Sequence, residues 1–292
     1  MEGILIINKE KNYTSNDVVR KVKKILNCNK VGHTGTLDPN ATGVLPLLLG
    51  NATKISKYLI NHDKEYEAVL KLGKKTTTAD GEGDILEERE VDSNLLILEN
   101  IKKVLQNFRG EMEQFPPMYS AIKVNGKKLY QYARSGEKIE LEPRKIEIYD
   151  IKLKNINKEE NEISFYVKCS KGTYIRTLCE DIAIKLGSIG YMKELNRISV
   201  GEFNINNSIT IGELEENINL GRHTNIITIE DFFKEYPEIE IKNEEELKRY
   251  LNGVKLKKEN LNKGIYRVYY ITKFIGIGNI ENKFLKRDIV IG

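Results

Sequence analysis

One carboxylate stands apart in the stretch VGHTGTLDPNATGVLPLLLGNATKI, residues 31–55. Asp38 precedes Pro39 and is flanked by Gly35 and Gly43, so restricted and free backbone positions alternate over a short turn. Such a turn can hold a side chain in one orientation. His33 lies just upstream and the next acidic residue is Asp63, so Asp38 has no neighbouring carboxylate with which to share acid/base work. That isolation points to a nucleophile more than to a two-carboxylate pair. The plainer reading is an Asp-Pro turn between a strand and the apolar run Val44–Leu49, and the rest of the chain has to decide between the two.

The elements that would position Asp38 follow from periodicity. Gly3–Asn8 reads as a short apolar strand, and Ser15 is expected to cap a helix with Val18, Val22, Ile25 and Leu26 on one face. EYEAVLKLG alternates and puts Tyr66, Ala68, Leu70 and Leu72 on one side of a strand; TTTADGEGD then forms an acidic, glycine-bearing loop. Asn94–Arg109 reads as an amphipathic helix through Leu98, Ile101, Leu105 and Phe108, ended by Gly110. After the proline turn of FPPMYSAIKVNGKKLYQYAR, strand patterns return at Arg144–Asn155 and Glu162–Cys169. The second leads through SKGTYIRT into a helix with Ile175, Leu178, Ile182 and Leu186 inward. Strands and helices mix without a strict βαβ rhythm, which predicts an α+β fold whose mostly antiparallel sheet is flanked by helices.

Composition narrows the function classes. A chain of 292 residues, 40% of them apolar, can bury a large core and suits one large domain or a large and a small one. No stretch has the apolar length of a membrane span, and MEGILIINKEK lacks the order of a signal peptide, so a cytoplasmic protein with no membrane partner is expected. Cys28, Cys169 and Cys179 are odd in number and show no CxxC spacing, and the three histidines are scattered, so no metal is expected. The net charge of +4 hides an asymmetry. Leu247–Gly292 carries eleven Lys/Arg against three Asp/Glu, a surplus of +8, leaving about −4 for the rest. A basic tail fits contact with RNA phosphates, although a solvated lysine-rich face explains the charge equally well.

HTGTLDPNATGVLP, YEAVLKLG, PPMYSAIKVNGKKLYQYAR, CSKGTYIRTL and LNRISVGEF occur in order between Gly3 and Ile211. With these motifs the chain resembles the TruB family of tRNA pseudouridine synthases. At the N-terminus the family's lysine-proline and glycine pattern appears as NKEKNYTS, with Lys9 retained, Glu10 in place of proline and Asn12 in place of glycine.

The resemblance implies an isomerase that converts a T-loop uridine of tRNA, at position 55, into pseudouridine without a cofactor. It makes Asp38 the nucleophile, with attack at C6 of the base or C1′ of the ribose both open, and Arg176 the partner that keeps the carboxylate ionised and oriented. Tyr66 matches the tyrosine that stacks on the target base and is a candidate acceptor for the C5 proton, while Tyr174 and Leu195 match further walls of the base pocket. His33 matches the residue that fills the space left by, or contacts, the flipped nucleotide; Asp80 would help order the site, and Lys9 is grouped with the substrate-binding residues. Lys123, Lys127, Lys128 and Arg134, with Tyr119, Tyr130 and Tyr132, combine cations and stacking surfaces suited to a folded RNA arm. The expected division is a catalytic domain over residues 1–235 and an abbreviated PUA-type, barrel-like RNA-binding domain over 236–292, with a linker near Asn217–Pro237 and a helix near Tyr236–Gly253.

The implied partner is the T-arm of tRNA, with no DNA and no obligatory protein partner, and the chain is expected to be a monomer. Two other readings are a guide-RNA-dependent synthase within a multiprotein particle, against which the short tail argues, and an RNA-folding protein, against which the complete set of Asp38, Tyr66 and Arg176 argues.

Overall fold

The computed structural model describes residues 1–137 and 139–291. Strand β1 (Gly3–Lys9) leads into helix α1 (Ser15–Ile25), then β2 (Val31–His33), β3 (Thr42–Leu49), the short α2 (Ser56–Leu59) and β4 (Lys64–Leu72). A hairpin of β5 (Lys74–Thr76) and β6 (Ile85–Glu88) precedes α3 (Leu98–Gln106) and β7 (Gly110–Gln114). The small strands β8 (Lys123–Val124) and β9 (Lys127–Lys128) and helix α4 (Leu129–Ser135) project before the long pair β10 (Arg144–Asn157) and β11 (Glu162–Cys169). Helix α5 (Ile175–Leu186), β12 (Gly190–Val200), β13 (Phe203–Asn204), α6 (Ile211–Asn219) and α7 (Ile229–Phe232) complete this part.

The large sheet runs β1-β3-β12-β4-β11-β10-β7, with β2 paired to β3 and β13 to β12; β12 and β3 are parallel and the other neighbours antiparallel. The α+β class with a mostly antiparallel sheet is as the periodicity predicts. Helices α1, α3, α5 and α6 supply apolar residues to one face, where Val18, Ile101, Leu178 and Leu214 meet Leu5, Leu47, Leu70 and Phe165. Strands β1 and β3 are apolar on both faces because both are covered. Ile4, Ile6, Val44 and Leu48 point away from the helices and pack against Phe233, Ile277 and Ile289.

Ile277 and Ile289 belong to a second sheet built from β14 (Glu238–Ile241), β15 (Leu256–Lys257), β16 (Gly264–Tyr270), β17 (Lys273–Glu281) and β18 (Phe284–Val290), with α8 (Glu244–Leu251) inserted after β14. Its order, β14-β16-β17-β18-β15, leaves β14 and β15 as edges, so the abbreviated barrel-like tail is an open, half-barrel sheet. Lys57 and Tyr58 donate to the Asp288 carboxylate, and Lys54 Nζ donates to the Val290 carbonyl at 2.8 Å, fastening this sheet to the first.

Three local expectations are corrected. Thr14, not Ser15, caps α1: its hydroxyl accepts from the Asp17 amide while the Asp17 carboxylate accepts from the Thr14 amide. The helix expected over Asn94–Arg109 spans only Leu98–Gln106, because Asp92 caps a separate turn at Ser93–Leu96, Ile97 is extended, and Gly110 opens a strand at φ 106°. Tyr236–Gly253 divides into strand and helix, since the alternation of EIEI buries Ile239 and Ile241 against β16.

Candidate active site

The segment between β2 and β3 is held from several sides. The Ser15 hydroxyl accepts from the Leu37 amide at 2.9 Å and donates to the Leu37 carbonyl at 3.2 Å, and the Asp38 carbonyl accepts from the Ala41 amide at 3.1 Å. The Pro39 carbonyl accepts from the Asn12 amide at 3.0 Å and from Lys9 Nζ at 2.9 Å. Asn12 has φ 68°, a left-handed conformation that asparagine tolerates better than most residues, so the exchange of glycine for asparagine leaves the turn intact. Gly43 has φ 104°, and a Cβ there would lie 2.2 Å from the Arg197 carbonyl. Only glycine lets β3 and β12 approach this closely.

Lys9 is fully buried, and its ammonium donates to the carbonyls of Glu10, Tyr13 and Pro39. Burial brings its pKa down to about 8, with the Asp38 carboxylate opposing that shift. All three ammonium protons are used beneath the turn, which corrects the grouping of Lys9 with substrate-binding residues: it positions the turn that carries Asp38.

Asp38 opens onto a cavity of about 940 Å³ that His33, Tyr66, Tyr119, Tyr174, Arg176 and Leu195 help to line. Its side chain is 35% exposed, whereas that of Arg176 is 6% exposed. Arg176 Nε lies 3.0 Å from Asp38 Oδ2 and its Nη2 lies 3.4 Å from Oδ1, a two-toothed contact. The same guanidinium donates to the carbonyls of Thr78 at 3.2 Å and Tyr119 at 2.9 Å, and lies 3.6 Å from Asp80 Oδ2. It thus joins the Asp38 turn, the β5–β6 hairpin and the segment after β7. Burial raises the Asp38 pKa above the ordinary carboxylate value and Arg176 pulls it back, giving a charged oxygen more basic than an exposed aspartate.

Tyr66 comes from β4 on the face shared with Ala68 and Leu70, as its alternation predicts. Burial pushes its phenol up to about 12, with the Arg197 guanidinium beside it acting the other way, so the hydroxyl is protonated at neutral pH. Tyr174 is fixed by a reciprocal pair: its amide donates to Gln114 Oε1 at 2.8 Å and its carbonyl accepts from Gln114 Nε2 at 3.0 Å. Burial lowers the His33 pKa, Arg197 adds to the effect, and the ring is neutral at pH 7. Asp80 is buried beside Arg176, 3.6 Å from its Nη1, and is not among the residues that line the cavity, so it is placed to order the guanidinium.

Sequence reasoning brought Asp38, Tyr66, Tyr174, Arg176, Leu195 and His33 to one cavity and missed Arg197 and Gln114. Arg197 is 2% exposed, and it donates to the carbonyls of Val44 at 2.7 Å and Gly35 at 3.2 Å, bracketing the Asp38 turn. Its signal was a cation inside the apolar strand pattern LNRISV. Gln114 had none, because its partners are backbone atoms far away in sequence.

Comparison with known proteins identifies the family of the chain. Residues 23–175 match the description "TruB family pseudouridylate synthase (N terminal domain)", and residues 176–254 match "tRNA pseudouridylate synthase B C-terminal domain". The chain is 47% identical to tRNA pseudouridine synthase B of Clostridium tetani over 285 residues, covering 95% of both chains. It is 46% identical to that of Staphylococcus aureus strain JH9 over 269 residues, covering 90% of this chain and 88% of the relative. Among solved structures it resembles one described as a Cbf5-Nop10-Gar1 complex, with a TM-score of 0.68, 26% identity, and coverage of 95% of this chain and 78% of that one.

Proposed function

The chain belongs to the TruB family of pseudouridylate synthases, and from that membership we propose that it isomerises the uridine at position 55 in the T-loop of tRNA, with Asp38 as nucleophile. The observation that carries this reading is the two-toothed Arg176–Asp38 contact at the mouth of a cavity large enough for one extruded nucleotide. In the reaction the C1′–N1 bond breaks, a C1′–C5 bond forms, C5 loses its proton and N1 gains one. Asp38, ionised and aimed by Arg176, forms the temporary bond to C6 or C1′ that splits this exchange into easier steps and keeps the detached base in place.

Tyr66 is the wall on which the base stacks, with the apolar side chain of Leu195 from the neighbouring strand also lining the cavity. Its hydroxyl can take the C5 proton only as it gives up its own, so the exchange relays one proton from C5 toward N1, with the Arg197 charge beside it to offset a transient phenolate. His33 and Tyr174 line the route by which the nucleotide leaves its stack. On the strength of the family membership, the synthase needs no obligatory protein partner and works as a monomer in the cytoplasm. Residues 236–292 act as a PUA-type RNA-binding unit whose exposed lysines meet tRNA phosphates.

Unmodified tRNA incubated with the purified protein in excess EDTA, with monovalent salt keeping the RNA folded, tests this directly. Mass mapping should find pseudouridine at the T-loop position. Product elsewhere, or loss of activity restored only by a protein-bound metal, would contradict the reading.

A further inference from the structure

The cavity that holds Asp38 also contains a cation for which the chemistry above has no task. Lys64 opens β4 and faces the same side as Tyr66, two residues further along. It is 9% exposed and lines the cavity, and its Nζ donates to the His62 carbonyl at 2.5 Å. An ammonium can donate three hydrogen bonds, yet among the described residues Lys64 has this one acceptor and no carboxylate within ion-pair distance.

The groups acting on it do not compensate. Burial lowers its pKa to about 8, Arg197 from β12 and Lys171 from the loop before α5 push the same way, and only Cys169 and Asp63 oppose them. A buried cation without a counter-ion costs stability, so its presence calls for an anion that arrives from outside. Lys171 lines the same cavity, donates to Asn61 Oδ1 at 2.7 Å, and also has no carboxylate in reach among the described residues.

The position of Lys64 separates two roles. The charges acting on Asp38 come from Arg176, Asp80, Lys9 and Arg197, whereas Lys64 pairs across the sheet with Cys169 and Val200, at the end of β4 away from Leu70 and Leu72. It sits one strand step beyond the stacking tyrosine, about 7 Å away. A group attached to the reacting nucleotide reaches that point more readily than the reacting atoms do.

Resting on the reading of the site as a uridine isomerase, we infer that Lys64, with Lys171, takes the phosphodiester adjoining the extruded nucleotide and so holds the RNA backbone while the base reaches Asp38. Lys64 is here a binding and positioning residue. It fixes where the nucleotide stands and exchanges no proton with it.

The test uses the full-length protein and T-arm hairpins that each carry one uncharged methylphosphonate linkage near the target uridine. Affinity and single-turnover rate are measured for the parent, Lys64→Met, Lys64→Arg and Lys171→Ala. At one linkage beside the target the methylphosphonate should weaken parent binding about tenfold. That penalty should vanish in Lys64→Met and persist in Lys64→Arg. Lys64→Met should reduce the log–log salt slope by about 1 and raise KM far more than it lowers kcat. It should also melt no lower than the parent, since it removes an uncompensated buried charge.

If the penalties of Lys64→Met and of methylphosphonate multiply at every linkage, Lys64 is a structural residue and the inference is overturned. If the parent makes pseudouridine in the unsubstituted hairpin but no coupling appears, only this inference fails. A parent that makes none fails the functional reading along with it.

Discussion

Around Asp38 the cations Lys9, Arg176 and Arg197 are at most 5% exposed and each is tied to backbone carbonyls, whereas Lys255, Lys263, Lys273 and Lys283 on the C-terminal sheet stand in solvent. Among the described residues those four lysines have no carboxylate within ion-pair distance. The first set can be arranged in only one way, and each member restricts a turn or a carboxylate. The second can move and be exchanged without disturbing the core. Buried, oriented charge suits chemistry at one atom, while exposed, loosely held charge suits a polyanion whose phosphates are all alike. The two regions are nonetheless one body, because Ile277 and Ile289 pack on Ile4, Ile6 and Val44. Deleting the tail would strip a core surface as well as a charge, so the contrast is better probed by point substitution.

The largest effect expected from a supporting residue is at Arg176. Arg176→Gln removes the two-toothed contact and should lower the single-turnover rate about 10²–10³-fold, the scale for losing an oriented charged donor. Because Arg176 holds the Asp38 pKa down, its loss should move the acid limb of the rate profile to higher pH. A profile that keeps the parent's acid limb would detach Arg176 from Asp38.

Lys9→Met should do less. It leaves the carbonyls of Glu10, Tyr13 and Pro39 short of a donor, so a loss of about 2 kcal/mol in unfolding free energy is expected. The rate should drop by about an order of magnitude as the turn loosens. Urea unfolding beside a rate measurement checks both, and an unchanged melting profile with normal activity would show that the turn holds itself.

The smallest effect on chemistry belongs to the tail. Replacing Lys255, Lys263, Lys273 and Lys283 with glutamine should flatten the salt dependence of tRNA binding, by about 0.7–0.9 in slope for each phosphate no longer neutralised. The rate at saturating RNA should stay within about twofold. An unchanged salt slope would mean that these lysines form a solvated face only.

How far the sequence foretold this molecule depended on whether a partner was local. The Asp38 turn was legible because its glycines and proline are close together in the chain, and α5 because Ile175, Leu178, Ile182 and Leu186 share one helical stripe. Tyr66 was legible from strict alternation in β4. What bound these pieces together was not. Gln114 and Tyr174 lie 60 positions apart, Arg197 and Val44 153 apart, and no short window holds both ends of such a contact. In β1 and β3 a continuous apolar run stated that both faces were covered, but not that the covering came from β17 and β18. Ser15 was misread because Thr14, beside it, is an equally good cap, and only the geometry shows Ser15 turned to Leu37.

The central claim is that reaction at the base depends on the Asp38 carboxylate while affinity for tRNA comes from cations elsewhere. Measuring binding and single-turnover product formation for Asp38→Asn and the parent, on one unmodified tRNA at several salt concentrations, tests it most directly. The account predicts binding curves that overlay the parent's within about threefold at every salt concentration, because phosphate contacts dominate them, together with no detectable pseudouridine, because an amide is a poor nucleophile. Product formation by Asp38→Asn within tenfold of the parent rate would contradict it.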